Sequence, residues 1–418
     1  MQVSRMAGSL IGSEIIKIGN EVNDMIRKGE QICNLTIGDF DSAIFPIPEE
    51  LQSEITLAYQ AGHTNYPPAN GMAALREAAA SFTRTRLGLE YSPNDFLVAG
   101  GSRPLIYATY LALVDPGDKV VFPVPSWNNN HYCHLSSAQG VMVETQPENN
   151  FMPTAEELAP HLAGATMLAL CSPLNPTGTV FTREGLEAIC DLVLAENKRR
   201  QPGEKPLYLL YDQIYWLLTF GNTEHYDPVN LRPELREYTI YIDGISKCLA
   251  ATGVRVGYAF GPAVVIDKMK AILGHVGAWA PKAEQVATAR YLPQTEHVDG
   301  FLGHFKEKIQ ASLEALHQGL QALKTDGYPV DSMVPMGAIY LTAKLDVLGK
   351  TTPAGQVLTT TKELTSYLIS DARLALVPFS AFGTDHTSPW FRMSVGGASL
   401  ESIQAALPRL RAALDALK

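Results

Sequence analysis

One lysine, Lys247, stands in the stretch DGISKCLAATGVRVGY (residues 243–258), with Arg255 eight residues on and Gly253 and Gly257 flanking the arginine. Two cations this close repel unless an anion lies between them, and the flanking glycines let the backbone approach that anion. The pair reads as an amine able to act as nucleophile or base beside an anion site. Other reactive groups recur in the same way, each just after a short apolar run. Gly101, Ser102 and Arg103 follow DFLVA; Ser126 and Trp127 follow DKVVFP; Asn175 opens NPTG after ATMLALCS; Asp212 and Tyr215 follow PLYLLY; Ser246 and Lys247 follow YTIYID. Any one has an ordinary explanation: NPTG as a turn, Asp212 as a strand-end residue, Trp127 as a core anchor, Lys247 as a solvated loop lysine. Five sets together exceed what turns require.

These groups meet only if the runs before them are neighbouring strands. Between about residues 95 and 262, DFLVAG, DKVVFP, GVMVET, ATMLALCS, PLYLLYD, YTIYID and VGYAFG alternate with helical patterns such as 104–114 and 183–200. The alternation predicts an α/β fold with a mostly parallel seven-stranded sheet sandwiched by helices. In such sheets the ligand crevice lies beyond the carboxyl ends of the strands, where the reactive groups fall. A long helical pattern over 284–325, then AIYLTAKL, LALVPFS and WFRMSVGG and a helix over 399–417, predict a smaller α+β domain. A helix near 10–29 is expected to pack on it. The expected divisions are residues 1–48 for the N-terminal segment, 49–290 for the large domain and 291–418 for the small one.

The 418 residues, 46% of them hydrophobic, can bury a substantial core in two or three lobes. A formal net charge of −10 without long basic runs argues against a nucleic acid as main partner. Cys33, Cys133, Cys171, Cys190 and Cys248 are odd in number and show no CxxC, which argues for a reducing cytoplasm over a disulfide framework or structural zinc. No signal-peptide pattern opens the sequence, and no 18 uncharged apolar residues run together, so a soluble protein with no membrane partner is expected. His131, Cys133 and His134 in HYCHLS lack a further ligand cluster, so this run reads as a helix lining the pocket, with no metal and with His131 set to buttress Asp212. AGGSRP lacks the Lys-Ser/Thr of a nucleotide-binding P-loop, and no GxGxxG follows the first strand.

The strand-end groups together describe one small molecule. The 101–103 loop would cradle a phosphate on the N–H groups of Ser102 and Arg103, with Arg255 and the Ser246 hydroxyl completing the site. A flat ring would stack on Trp127, its N–H held by Asp212 and its phenolic oxygen by Asn175 and Tyr215, while Lys247 condenses with an aldehyde. That molecule is pyridoxal 5'-phosphate.

The pattern S-K-x(5)-G-x-R-x-G-Y at 246–258, with NPTG at 175–178 and D-x-x-Y at 212–215, resembles the class I/II aminotransferases of pyridoxal-phosphate fold type I over nearly the whole chain. DGISK and TGVRVGYAFGP are similar to the bacterial aspartate/prephenate aminotransferase subgroup. The resemblance implies a homodimer with sites at the subunit interface, and a phosphate contact from the partner by Tyr66 in YPPANG. It also implies an N-terminal segment that lines the substrate site through Gly38 in IGDFD, and Arg392 in WFRMSVGG gripping the substrate α-carboxylate. Many relatives carry a hydroxyl where this chain has Gly244, so one phosphate hydrogen bond is expected to be missing.

The expected reaction is ping-pong transfer of an amino group from an L-amino acid to a 2-oxo acid, with Lys247 as anchor and base. Arg103, flanked by Trp127, is expected to read a distal carboxylate, giving an aspartate- or glutamate-type donor. Aromatic or broad neutral specificity is the alternative, as is a lyase or decarboxylase on the same fold. A pyridoxal-phosphate-binding regulatory module is disfavoured, since a DNA-binding domain is not expected before residue 30.

Overall fold

The computed structural model describes residues 3–10, 12 and 14–418. Seven strands build the larger sheet: β1 (Phe96–Ala99), β2 (Lys119–Val124), β3 (Gln139–Glu144), β4 (Ala165–Cys171), β5 (Tyr208–Asp212), β6 (Thr239–Gly244) and β7 (Gly257–Phe260). Their spatial order is β1-β7-β6-β5-β4-β2-β3. β7 runs antiparallel to both its neighbours, and the other pairings are parallel. Because β7 is reversed, the residues before its start reach the edge where the other strands end, which brings Arg255 to Lys247.

Side-chain alternation along the strands separates two cores. Leu97, Val120, Phe122, Met167, Leu210, Ile240 and Ile242 face one layer, shared with Leu105 and Ile106 of the helix Ser102–Leu113. Phe96, Val121, Leu168, Leu209 and Tyr241 face the other, shared with Leu186 and Ile189 of the helix Arg183–Arg199. Residues two apart share a face, so a strand buried on both sides needs an unbroken apolar run, which these sequences supply. Each fully buried Leu, Ile or Phe contributes about 1.5–3 kcal/mol.

The second sheet has four strands, β8 (Val330–Ser332), β9 (Tyr340–Leu345), β10 (Val377–Pro378) and β11 (Trp390–Ser394), in the antiparallel order β10-β11-β9-β8. The run LALVPFS is divided. Leu374–Ala375 pairs in parallel with Cys33–Asn34, and Val377–Pro378 pairs with β11. The helical pattern at 284–325 is also divided, into Lys282–Tyr291 and Thr295–Thr325. Pro293 lies between them and has no N–H with which to continue the helical bonding, and the backbone leaves helical geometry at Gln294.

The helix Glu14–Arg27 places Val22 with Ile369 and Ala375 of the second unit. Residues 11 and 13 of the helix expected near 10–29 lie outside the described residues. Among the described residues, no helix is long and apolar enough to cross a membrane.

The two sheets are joined at NPTG. A Cβ on Gly178 would sit 2.1 Å from the Tyr340 carbonyl oxygen, and the φ of this glycine is +72°. Gly337 N–H donates to the Gly178 carbonyl at 2.8 Å, and the Thr342 hydroxyl donates to that of Thr177 at 2.8 Å. NPTG is therefore a docking loop as well as a turn, and it sets β9 beside the ends of β4 and β5.

Candidate active site

A cleft of about 390 Å³ opens at the carboxyl ends of the parallel strands. Ser102, Arg103, Trp127, Asn175, Asp212, Tyr215, Lys247, Gly38 and Arg392 all line it. Tyr66 does not: its side chain is 81% exposed and meets Trp279 edge-on at 5.2 Å.

Three glycines give the anion side of the cleft its shape. A Cβ on Gly244 would fall 2.7 Å from the Gly257 Cα; one on Gly257, 2.6 Å from the Gly101 carbonyl carbon; one on Gly101, 2.1 Å from the Arg255 Nη2. β6, β7 and the turn after β1 pass too close for any side chain. The missing hydroxyl at Gly244 thus has a steric cause. Arg255 lies across this layer at φ +60°, donating from Nη1 to the Thr252 carbonyl at 2.7 Å and from Nη2 to the Gly100 carbonyl at 2.6 Å. The helix Ser102–Leu113 begins beside it, and Ser246 is buried on the turn that carries Lys247. Helix-start N–H groups, a guanidinium and a hydroxyl suit a phosphate.

Lys247 follows β6 on the single turn Ile245–Cys248 and donates to the Gly38 carbonyl at 2.6 Å. Burial pushes its amine down to about 8, with Asp39 opposing and Arg392, Arg103 and Arg255 adding to the fall. Asp212 ends β5 and accepts from the Ile214 N–H at 3.1 Å. Burial lifts its carboxyl to about 6, against that hydrogen bond and the Lys247 charge. A half-buried carboxylate with spare acceptor capacity suits a ring N–H.

Arg392 is 1% exposed, which excludes a surface ion pair. It donates to the Asn175 Oδ1 at 3.1 Å and the Thr36 carbonyl at 2.5 Å, and stacks 4.7 Å over the Tyr340 ring. Its Nε has no hydrogen-bond partner. Arg103 lies 5.2 Å over the Trp127 ring.

His131 does not buttress Asp212. On the helix Asn129–Ser136 the neighbouring Tyr132 is the residue whose phenol, pushed up to about 12 chiefly by burial, feels the charges of Arg103 and Asp212. Adjacent helical residues point about 100° apart, so the phase that buries Tyr132 in the core turns His131 aside. Asn129 is the member of this helix that lines it. Among the described residues, no group of three or more His, Cys, Asp or Glu is placed to hold a metal.

Sequence reasoning missed Tyr340, whose hydroxyl lies 2.6 Å from that of Tyr215, and the face Ile15, Ile16, Gly19, Asn20 and Asn23 of the N-terminal helix, which roofs the cleft. In AIYLTAKL, Tyr340 is indistinguishable from a core aromatic.

The sequence matches the family "Aminotransferase class I and II" over residues 30–410. The chain belongs to that family. This aminotransferase is 31% identical to the aspartate aminotransferase of Rhizobium meliloti (strain 1021), over 97% of this chain and 94% of the relative. It is 30% identical to a probable aspartate/prephenate aminotransferase of Rhizobium leguminosarum bv. phaseoli, over 97% of each chain. The crystal structure of aspartate aminotransferase from Thermus thermophilus with maleate superimposes with a TM-score of 0.87 at 28% identity, covering 99% of this chain and 100% of the other. The aminotransferase is a pyridoxal-phosphate-dependent enzyme of fold type I, and the anion cradle, the half-buried amine and the half-buried carboxylate fit that cofactor.

Proposed function

We propose that this aminotransferase takes aspartate- or glutamate-type donors and that the strand-end residues hold its cofactor. Ser102, Arg103 and Gly101 backbone groups, Ser246 and Arg255 bind the phosphate, Trp127 covers the ring, Asp212 takes the ring N–H, and Asn175 and Tyr215 hold the ring oxygen. When bound, pyridoxal phosphate supplies an aldehyde that condenses with amines and a ring that withdraws electrons from the carbon beside the condensed nitrogen. Lys247, with an amine at about 8, is partly neutral near physiological pH and can take the proton from the substrate α-carbon. Asp212, ionised above about 6, keeps a proton on the ring nitrogen. The spare Nε–H of Arg392 supports its role on the α-carboxylate.

The observation that carries the donor class is the Arg103 guanidinium, free of any carboxylate partner among the described residues and lying over Trp127 in the cleft. The Thermus relative was solved with maleate, a dicarboxylate, and the Rhizobium relatives carry aspartate-type names. Ile15, Ile16 and Ile37 in the same cleft favour the rival reading, an aromatic or neutral donor. Relatives named as aminotransferases favour transfer over lysis. Comparing kcat/KM for aspartate and phenylalanine in wild type and Arg103→Ala decides the donor class. A loss of about tenfold or more for aspartate alone supports the reading, and equal losses for both donors refute it.

The same reading includes a cytoplasmic homodimer in which Tyr66 reaches the partner's phosphate, and the division at 1–48, 49–290 and 291–418. The exposure of Tyr66, with Leu57 and Tyr59 about half exposed, supports the dimer.

A further inference from the structure

We propose that Tyr340 is a positioning residue that fixes the direction of the Tyr215 hydroxyl proton and sends it into the cleft. The two hydroxyls are 2.6 Å apart, their rings meet edge-on at 5.6 Å, and the side chains are 1% and 3% exposed. Each phenol has one proton, so only one of the two can donate in this bond. The Tyr340 hydroxyl has no other hydrogen-bond partner among the described residues. The Gly38 backbone closes one side of it, where a Cβ would lie 2.7 Å from the oxygen, and the Arg392 guanidinium, which can only donate, covers the ring. Both residues line the cleft, but the Tyr340 hydroxyl lies against the Gly38 backbone and the guanidinium, neither of which accepts from it, so a bond donated by Tyr215 would leave the Tyr340 proton without an acceptor. The arrangement that satisfies both has Tyr340 donating to Tyr215, and the Tyr215 proton then points into the cleft that holds Lys247, whose Nζ lies 5.7 Å from the Tyr215 ring centre. The chain is held from outside the cleft, because Gly178 packs on the Tyr340 carbonyl and pins β9.

This inference rests on the reading that Tyr215 donates to the cofactor's ring oxygen. A phenol that accepts one hydrogen bond becomes a better donor in the next, so Tyr340 strengthens that contact as well as aiming it.

The test loads pyridoxal phosphate onto wild type, Tyr340→Phe, Tyr215→Phe and the double variant, and follows the visible absorbance of the bound cofactor against pH. A donor to the anionic ring oxygen stabilises the form in which no other proton shares that oxygen, so losing the donor raises the midpoint. Tyr215→Phe is expected to raise it by about one to two units. Tyr340→Phe is expected to raise it by about three tenths of a unit or more, less than Tyr215→Phe and in the same direction. In the double variant, removing the Tyr340 hydroxyl adds nothing to the effect of Tyr215→Phe. A merely structural Tyr340 would change the melting temperature and leave the midpoint alone, and that result overturns the proposal. So does an equal shift whether residue 215 is Tyr or Phe. If Tyr215→Phe itself leaves the midpoint unmoved, the reading of Tyr215 fails and the proposal fails with it.

Discussion

The Arg392 guanidinium, on a strand of the smaller sheet, donates across 3.1 Å to the Oδ1 of Asn175, on the loop after a strand of the larger one. Two residues 217 positions apart thus share one polar contact at the floor of the cleft. Arg392→Lys keeps the charge and loses the planar fork, so it cannot hold Asn175 and the Thr36 carbonyl and still grip a carboxylate. A fall in kcat/KM of about tenfold to a hundredfold, carried mainly by KM, is expected in steady-state assays. An unchanged KM would remove Arg392 from substrate binding.

The large sheet was legible because its strands are apolar runs with no competing periodicity, and the cleft because parallel strands put their ends together. Arg392 and Tyr340 were not legible in the same way. Arg392 was placed only by resemblance, and Tyr340 looks like core in its own sequence. Both depend on how β9 and β11 dock on NPTG, a contact between distant segments that no local pattern encodes. His131 failed for a different reason: HYCHLS gave the helix correctly, but the sequence does not set its rotation, and the phase that turns Asn129 and Tyr132 inward turns His131 aside.

Gly244 should be intolerant of the hydroxyl that many relatives carry. Its φ of +154° and the 2.7 Å to the Gly257 Cα leave no room for a Cβ, and backbone atoms cannot rotate away. Gly244→Ser should cost about 1–3 kcal/mol, read as a lower midpoint in denaturant, and should weaken cofactor binding as β7 shifts against Gly101. A variant of wild-type stability with tighter phosphate binding would show that the strands can part.

Tyr66 can be tested by complementation. Lys247→Ala chains and Tyr66→Ala chains are each expected to be impaired. If Tyr66 serves the partner's site, a hybrid dimer regains one site carrying both side chains. Random mixing at equal amounts should restore about one quarter of wild-type activity. Activity no higher than the mean of the two separate variants would place Tyr66 outside the partner's site.

The depressed proton affinity of Lys247 has a consequence for stability without cofactor. The ordinary value is 10.5 and the folded value about 8, so between those limits the unfolded chain binds more protons than the native one. Stability of the cofactor-free protein therefore rises with pH across that window, and below about 8 the full cost of holding the ammonium in the cleft is present. Lys247→Met removes that cost and also removes the hydrogen bond to the Gly38 carbonyl. The shift corresponds to about 3 kcal/mol and the hydrogen bond to about 1, so the variant should be more stable than wild type by about 2 kcal/mol below pH 8. The difference should close at about pH 10 and reverse above it, where the lost hydrogen bond outweighs what remains of the cost. Asp212 works in the opposite sense at lower pH, because its folded value near 6 exceeds the ordinary 3.8 and the native state holds the extra proton between them. That contribution is common to both proteins, except that losing the Lys247 charge raises the Asp212 carboxyl further. Melting temperatures of the two cofactor-free proteins from pH 6 to 10 check the sign. A variant less stable than wild type at pH 7 would mean that the amine is not held against a desolvation cost.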